Sequence, residues 1–188
     1  MKIIKLSTPL VTSDLEKLNI GDKVLLNGKI YTARDAAHKR LINTLNEGNP
    51  LPFDINGQVI YYVGPTPPKP NTPAGSAGPT TSTRMDPYTP ALLDKGLKGI
   101  IGKGPRNKSV IDSLIKNKAV YFIAIGGAGV LLAQSIKSSK LIAYEELGAE
   151  AIREFEVEDF PLIVGIDVSG NDIYVEGVKQ YEILEESR

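Results

Sequence analysis

Lys23-Val24-Leu25-Leu26-Asn27-Gly28-Lys29-Ile30-Tyr31-Thr32 runs directly into Ala33-Arg34-Asp35-Ala36-Ala37-His38-Lys39-Arg40-Leu41-Ile42-Asn43-Thr44-Leu45. The first ten residues are two apolar runs on either side of Asn-Gly, and Asn-Gly readily adopts the φ > 0 pair that a two-residue hairpin turn needs. A hairpin over 23–32 is therefore expected. Apolar residues then fall at 33, 37, 41 and 45, the stripe of a helix, with Gly48 as its stop. Arg34 sits at the strand-to-helix junction, where free backbone N–H groups can meet an anion.

Outward from this unit, strand and helix signals alternate. Gln58 to Val63 reads as a short strand, and Tyr88 to Lys95 resumes helical spacing. Gly99-Ile100-Ile101-Gly102 reads as a strand that enters the turn Lys103-Gly104, and Asn107 to Lys116 as a helix. Ala119 to Ile125 is the apolar, β-branched run of a buried strand, and Gly126-Gly127-Ala128-Gly129 opens a helix through about Ile136. Glu150 to Val157 reads as a further strand. Pro161 to Asp167 and Ile173 to Glu176 flank Ser169-Gly170-Asn171-Asp172 as a second hairpin. Alternation in the middle with hairpins near both ends predicts an α/β domain with a mixed sheet and flanking helices. Residues 1–188 are expected to form a single domain. The segment Gly64 to Pro79, with six prolines and three glycines, is expected to be a stiff surface crossing.

Composition narrows the chemistry. Lys plus Arg and Asp plus Glu are both 22, so no bulk field attracts nucleic acid or an acidic membrane. There is no cysteine and one histidine, which excludes disulfides, thiolate zinc and a self-held iron–sulfur cluster. No metal ligand set is expected within this chain. The start, MKIIKLSTPL, is too short and too polar for a signal peptide, and no apolar run approaches the roughly 20 residues of a membrane span. A cytoplasmic location is expected.

Three cations stand beside glycines, hydroxyls or a helix start: Arg34, Arg84 and Lys103. Glycine lets backbone approach a ligand, and arginine grips a carboxylate with a two-pronged fork. The trio suits a small dicarboxylate; taken singly, each reads more simply as solvated surface. Gly78-Pro79-Thr80-Thr81-Ser82-Thr83-Arg84 is the densest motif. An N-cap and a polar loop account for one or two of its hydroxyls, and anion binding or positioning of a reacting group for the remainder. His38 lies four residues from Arg34 on one helical face and reads as a hydrogen-bonding support for the site, although its chemistry also suits acid–base work. The glycines at 126–129 match neither dinucleotide nor Walker patterns, so close strand–helix packing is preferred to phosphate binding. The carboxylates at Glu145-Glu146 and from Glu154 to Asp159 read as solvated faces.

Four stretches together resemble the β subunit, or C-terminal domain, of class I fumarate hydratases and L-tartrate dehydratases. They are Gly28 to His38, Gly78 to Asp86, Gly102-Lys103-Gly104, and Ile125 to Gly129, and the likeness spans about Leu6 to Gly177. The resemblance implies a swivelling β/β/α domain that closes over substrate. It implies a 4Fe–4S cluster held by three cysteines of a partner α subunit, with one iron acting as Lewis acid. Arg34, Arg84 and Lys103 become carboxylate ligands, and Thr80, with Thr81 beside it, the candidate base, oriented by an aspartate of the partner. His38 and Asp35 support these groups. The implied assembly is an (αβ)2-type heteromer, and the implied reaction is reversible dehydration of (S)-malate to fumarate. Dehydration of tartrate to oxaloacetate is the near alternative, and a non-catalytic anion-binding module the distant one.

Overall fold

The structure is a computed structural model that describes residues 3–177 and 179. Residues 1, 2, 178 and 180–188 of the expected domain lie outside the described residues. Seven strands occur in chain order: β1 Ile3–Ser7, β2 Lys23–Thr32, β3 Val59–Tyr61, β4 Gly99–Gly102, β5 Val120–Ile123, β6 Ile136–Ala143 and β7 Ile152–Ile166. The helices are α1 Thr12–Leu15, α2 Asp35–Asn46, α3 Thr89–Leu93, α4 Lys108–Asn117 and α5 Gly129–Gln134, with 3-10 turns at Ser82–Met85 and Glu145–Glu150.

The strands β1 to β5 pair in parallel, and β7 runs antiparallel to β5, β6 and β2. Because β7 joins both β5 and β2, the strands β2-β3-β4-β5-β7 close into a ring, with β1 and β6 added at its margins. Alternation along each strand then divides the core. Leu26, Ile30, Val59, Tyr61, Ile101, Val120, Phe122, Phe155, Phe160 and Val164 belong to one buried cluster, which fills the ring. The alternate residues Tyr31, Ile60, Tyr62, Ile100 and Tyr121 join Ala37, Leu41, Leu92, Leu93, Val110 and Leu114 of α2, α3 and α4 in a second cluster, outside it. The expected α/β class, mixed sheet and flanking helices are the architecture observed.

Two hairpins expected from turn chemistry are not formed. Residues 23–32 are one strand with a bulge, not a hairpin: Lys23–Leu26 pair with 160–163 and Gly28–Tyr31 with 154–157 of the same β7. Asn27-Gly28 spends its turn chemistry on this bulge. Gly28 has φ +96°, and a Cβ there would stand 2.7 Å from Thr8 Oγ1. The Asn27 side chain accepts the Asp159 N–H at 2.9 Å, matching the irregularity on the facing strand. At the far end, Asp172 makes a single bridge to Ile166 and residues 173–177 turn into helix, so 173–176 is no strand. The Asp167 carboxylate holds the turn by accepting from the Ser169 and Asn171 N–H groups at 2.9 and 3.2 Å. The strand read at 150–157 is instead β7, extending to Ile166, and the helix expected to reach Ile136 stops at Gln134, where edge strand β6 follows.

The 64–79 crossing is irregular, as expected, and is tied down along its length. Thr66 and Ser76 bond across it at 3.0 Å, Tyr61 donates its hydroxyl to the Ala77 carbonyl, and the Ala77 N–H reaches Gly129 at 3.0 Å. It thereby delivers Thr80 to the ends of β3 and β4.

Candidate functional site

Strand register places the candidates. Tyr31 aligns with Ile60, Ile60 with Ile100, and Ile100 with Tyr121. Three residues beyond these lie Arg34, Val63, Lys103 and Ala124, at one level past the carboxyl ends of four parallel strands. Parallel α/β sheets, open or closed, bind ligands at this end, because the connecting loops and helix N-termini gather there.

Arg34 caps α2 with extended backbone, so its side chain leaves the strand while its carbonyl starts the helix. A Cβ at Gly64 would stand 3.0 Å from Arg34 Nη1 and 3.1 Å from the Ala149 carbonyl, so glycine lets the guanidinium pass without displacing either. Arg34 Nη2 lies 3.7 Å from Asp35 Oδ2 and 3.6 Å from Glu150 Oε1. The other Glu150 oxygen accepts the Ala36 N–H at 2.9 Å, so the anion at this helix N-terminus is the chain's own. Arg84 Nε meets Asp35 Oδ1 at 2.9 Å, although its side chain is 52% exposed. Asp35 thus stands between Arg34 and Arg84. Arg34 Nε and Asp35 Oδ2 are buried and have no hydrogen-bond partner among the described residues, which leaves hydrogen-bonding capacity unspent at this point.

The hydroxyl motif lies against the end of β4. Thr80 N–H donates to the Tyr62 carbonyl at 2.7 Å, and Thr81 bridges Lys103 in parallel register. Ser82 N–H reaches the Lys103 carbonyl at 2.9 Å, and the Lys103 N–H returns to Ser82 Oγ at 3.0 Å. Gly102 permits this approach, since a Cβ there would fall 1.9 Å from Ser82 Oγ. Ser82 is buried and structural, Thr80 half-buried, and Thr81, Thr83 and Arg84 exposed. The four hydroxyls therefore have different tasks.

Beneath this loop is a buried polar network. Arg106 Nε donates to Asp86 Oδ1 at 2.7 Å, and Asp86 Oδ2 accepts the Asn107 N–H at 2.8 Å. Arg106 Nη2 donates to Thr89 Oγ1 at 3.0 Å, and the Tyr62 hydroxyl lies 2.8 Å from the same oxygen. Thr89 gives its own proton to the Met85 carbonyl, so Tyr62 is the donor to Thr89. Likewise Tyr121 donates to the Gly104 carbonyl at 2.9 Å, which makes Ser82 the donor to Tyr121. Burial alone would lower the Arg106 pKa, but Tyr62, Asp86 and Tyr121 hold it above the ordinary arginine value.

His38 is fully buried. Its Nδ1 donates to the Arg34 carbonyl at 2.9 Å, and its ring meets Tyr62 edge-on at 5.0 Å between centroids. Burial lowers its pKa to about 4, with Arg106 adding to the shift. A neutral, enclosed imidazole supports the start of α2 and is shielded from solvent-borne protons.

The structure brings Arg34, Asp35 and Arg84 together and stitches Thr81 and Ser82 to Lys103, with Thr80 held by the Tyr62 carbonyl; His38 touches the group only through the Arg34 backbone. Sequence reasoning missed Glu150, which was read as strand, and the Asp86–Arg106 pair. Asp86 closed the Gly78–Asp86 motif and Arg106 lies three residues past Lys103, but nothing local paired them. Glu154, read as solvated, is instead half-buried between Tyr31 at 3.0 Å and Lys29 at 3.1 Å. The donor set does not fit a metal cluster: there is no cysteine, and among the described residues no three His, Asp or Glu gather to hold an ion.

The sequence profile described as Fumarase C-terminus matches residues 1–177. A Methanocaldococcus jannaschii protein with the provisional name L(+)-tartrate dehydratase subunit beta is 43% identical over 184 residues, 94% of each chain. Fumarate hydratase 2 of Leishmania major and the anaerobic class I fumarate hydratase of Escherichia coli are each 40% identical over 166 residues. Those stretches are 87% of this chain but only 29% and 30% of the two enzymes, so the chain corresponds to under a third of their length. With a profile match over nearly its whole length, the chain belongs to the fumarase C-terminus family.

Proposed function

We propose that this chain is the β subunit of a hydro-lyase that reversibly dehydrates (S)-malate to fumarate. The observation that supports the reading is Asp35 standing between Arg34 and Arg84, with Thr80, Thr81 and Lys103 carried on backbone that leaves the same ends of the parallel strands. Arg34 and Arg84 grip substrate carboxylates, and Lys103 adds a point charge from the neighbouring loop. Removing the proton α to a carboxylate builds negative charge on that carboxylate. Fixed cations aimed there stabilise the transition state more than the ground state. Thr80 takes the carbon-bound proton, and Thr81 holds the loop against Lys103. A neutral hydroxyl is a weak base, so a group on the partner activates Thr80.

The partner is a cysteine-bearing α subunit, and the 4Fe–4S cluster belongs to it. The relative named as a subunit beta, and the fumarate hydratases in which this region is less than a third of a longer chain, support that division. Ile125, Val130 and Leu131 stand exposed on the loop and helix that follow β5, apolar surface suited to such a partner. An (αβ)2 heteromer is the assembly proposed. No helix among the described residues is long and apolar enough to cross a membrane.

Tartrate is the second reading, favoured by the relative that matches over 94% of its length. The two acids differ by one hydroxyl, a difference that a few pocket contacts decide. The test is anaerobic reconstitution with the cysteine-bearing partner, followed by initial rates on malate and tartrate. Higher kcat/KM on malate is expected. Preference for tartrate would reassign the substrate, and inactivity on both acids would leave an anion-binding module.

A further inference from the structure

Arg106 takes no part in the proposed chemistry, yet it is the most enclosed cation of the described residues, with no exposed side-chain surface. A buried ion pair is a poor source of stability, because desolvating both charges offsets most of their attraction. Its geometry is more informative. One fork engages Asp86 at 2.7 Å and Thr89 at 3.0 Å, reaches the Tyr62 hydroxyl at 3.5 Å, and lies 5.4 and 5.0 Å from the Tyr62 and Tyr121 ring centres. These partners come from the end of the hydroxyl loop, from α3, from the exit of β3 and from within β5.

Three of the four partners lead on to a candidate group. The Tyr62 carbonyl holds the Thr80 N–H. Tyr121 accepts from Ser82, which bonds the Lys103 N–H. Asp86 lies two residues past Arg84 and accepts the Asn107 N–H, which fixes the 103–107 turn to the 80–86 loop. We propose that Arg106, with Asp86, is a positioning residue that sets the spacing between the Thr80–Arg84 loop and Lys103. The proposal rests on the hydro-lyase reading and assigns Arg106 no substrate contact. A lysine keeps the charge, but its three donors radiate from one nitrogen and lack the spread of the planar fork that spans Asp86, Thr89 and Tyr62.

The test uses the reconstituted complex carrying Arg106→Lys, or the double change Arg106→Met with Asp86→Leu, in which apolar groups replace the pair. Thermal melting and partner association are measured alongside kcat and KM. Misplacing a reacting group by about 1 Å costs on the order of 100-fold in rate. The expected result is a folded, assembled Arg106→Lys enzyme with kcat reduced about 30- to 100-fold and KM changed by less than about fivefold. The double variant is expected to melt near the wild type and to be as slow. Should it fail to fold, Arg106→Lys alone carries the test. Two outcomes overturn the proposal: kcat within threefold of wild type in the folded variant, or a loss that matches the unfolded fraction with normal turnover in the remainder. An inactive wild-type complex would instead sink the hydro-lyase reading, which separates the two failures.

Discussion

Replacing Arg84 by alanine tests the site with the least risk to the fold. In the free chain its guanidinium is half-exposed and paired with Asp35 at 2.9 Å. Exposed ion pairs contribute about 0–1 kcal/mol, so Arg84→Ala should lower stability by no more than about 1 kcal/mol. For a chain of this size that is a melting shift of roughly 2–4 °C. The catalytic loss should be much larger. A fork on a carboxylate makes two charge-assisted hydrogen bonds, each worth about 1.5–3 kcal/mol. After partial replacement by water, a transition-state loss of about 3–4 kcal/mol is expected, or about 10²- to 10³-fold in kcat/KM. Arg84→Lys should lose roughly tenfold, since it keeps the charge and loses the fork. The assay is initial-rate kinetics on the reconstituted complex, with a melt of the same preparation. A kcat/KM within threefold of wild type, at full partner occupancy, would remove Arg84 from substrate binding and leave its contact with Asp35 as surface pairing.

Thr80→Ala should lower kcat by about 10²-fold or more with little change in KM, as general acid–base contributions run; an effect confined to KM would make Thr80 a binding residue. His38 is neutral in the fold down to about pH 4, whereas an unfolded chain takes up that proton near pH 6.5. Its depressed pKa therefore leaves stability intact above pH 6.5 and removes about 3 kcal/mol as pH falls toward 4. Urea midpoints between pH 7 and 4 should fall less steeply for His38→Gln than for wild type, and parallel slopes would contradict a buried neutral imidazole. Gly102→Ala should destabilise by about 1–3 kcal/mol, because the new Cβ meets Ser82 Oγ at 1.9 Å; an unchanged denaturation midpoint would show that the Ser82 loop yields freely.

The sequence made the middle of the fold legible because its signals there are local. Ile100-Ile101, between two glycines, and Val120 to Ile123 are short apolar runs, and Ala37 and Leu41, in step with Ala33 just before the helix, turn one face of α2 inward. It misled where local chemistry serves a long-range pairing. Asn27-Gly28 has the composition of a hairpin turn, but both halves of β2 find one partner, β7, some 130 residues away, and the bulge keeps them in register. Ile136–Ala143 shows mixed polarity because β6 borders solvent, so neither helical nor alternating spacing marks it cleanly. The candidate site divides the same way. Arg34, Arg84 and Lys103 stand out because glycines and hydroxyls accompany them in sequence. Glu150 does not, because its contacts are with Arg34 and Ala36, more than 110 residues back.

Those added contacts change the electrostatics of the proposed reaction. Read from sequence, the site is three cations awaiting a dianion. In the structure, Asp35 and Glu150 already lie on the arginines, so three cations face two carboxylates and one net positive charge remains. A dicarboxylate brings two negative charges, and proton abstraction places further density on one of its carboxylates. The ion pairs around Arg34 and Arg84 are long or exposed, so re-aiming the guanidinium forks toward substrate costs little. The overall sum is still unfavourable to an anionic transition state within this chain. With 22 basic and 22 acidic residues overall, the rest of the molecule supplies no compensating field. Under the proposed function, the missing positive charge has to come from the subunit that completes the site. Under that proposal the half-site is largely neutralised by its own Asp35 and Glu150, and its one remaining positive charge is too little to stabilise the transition state by itself.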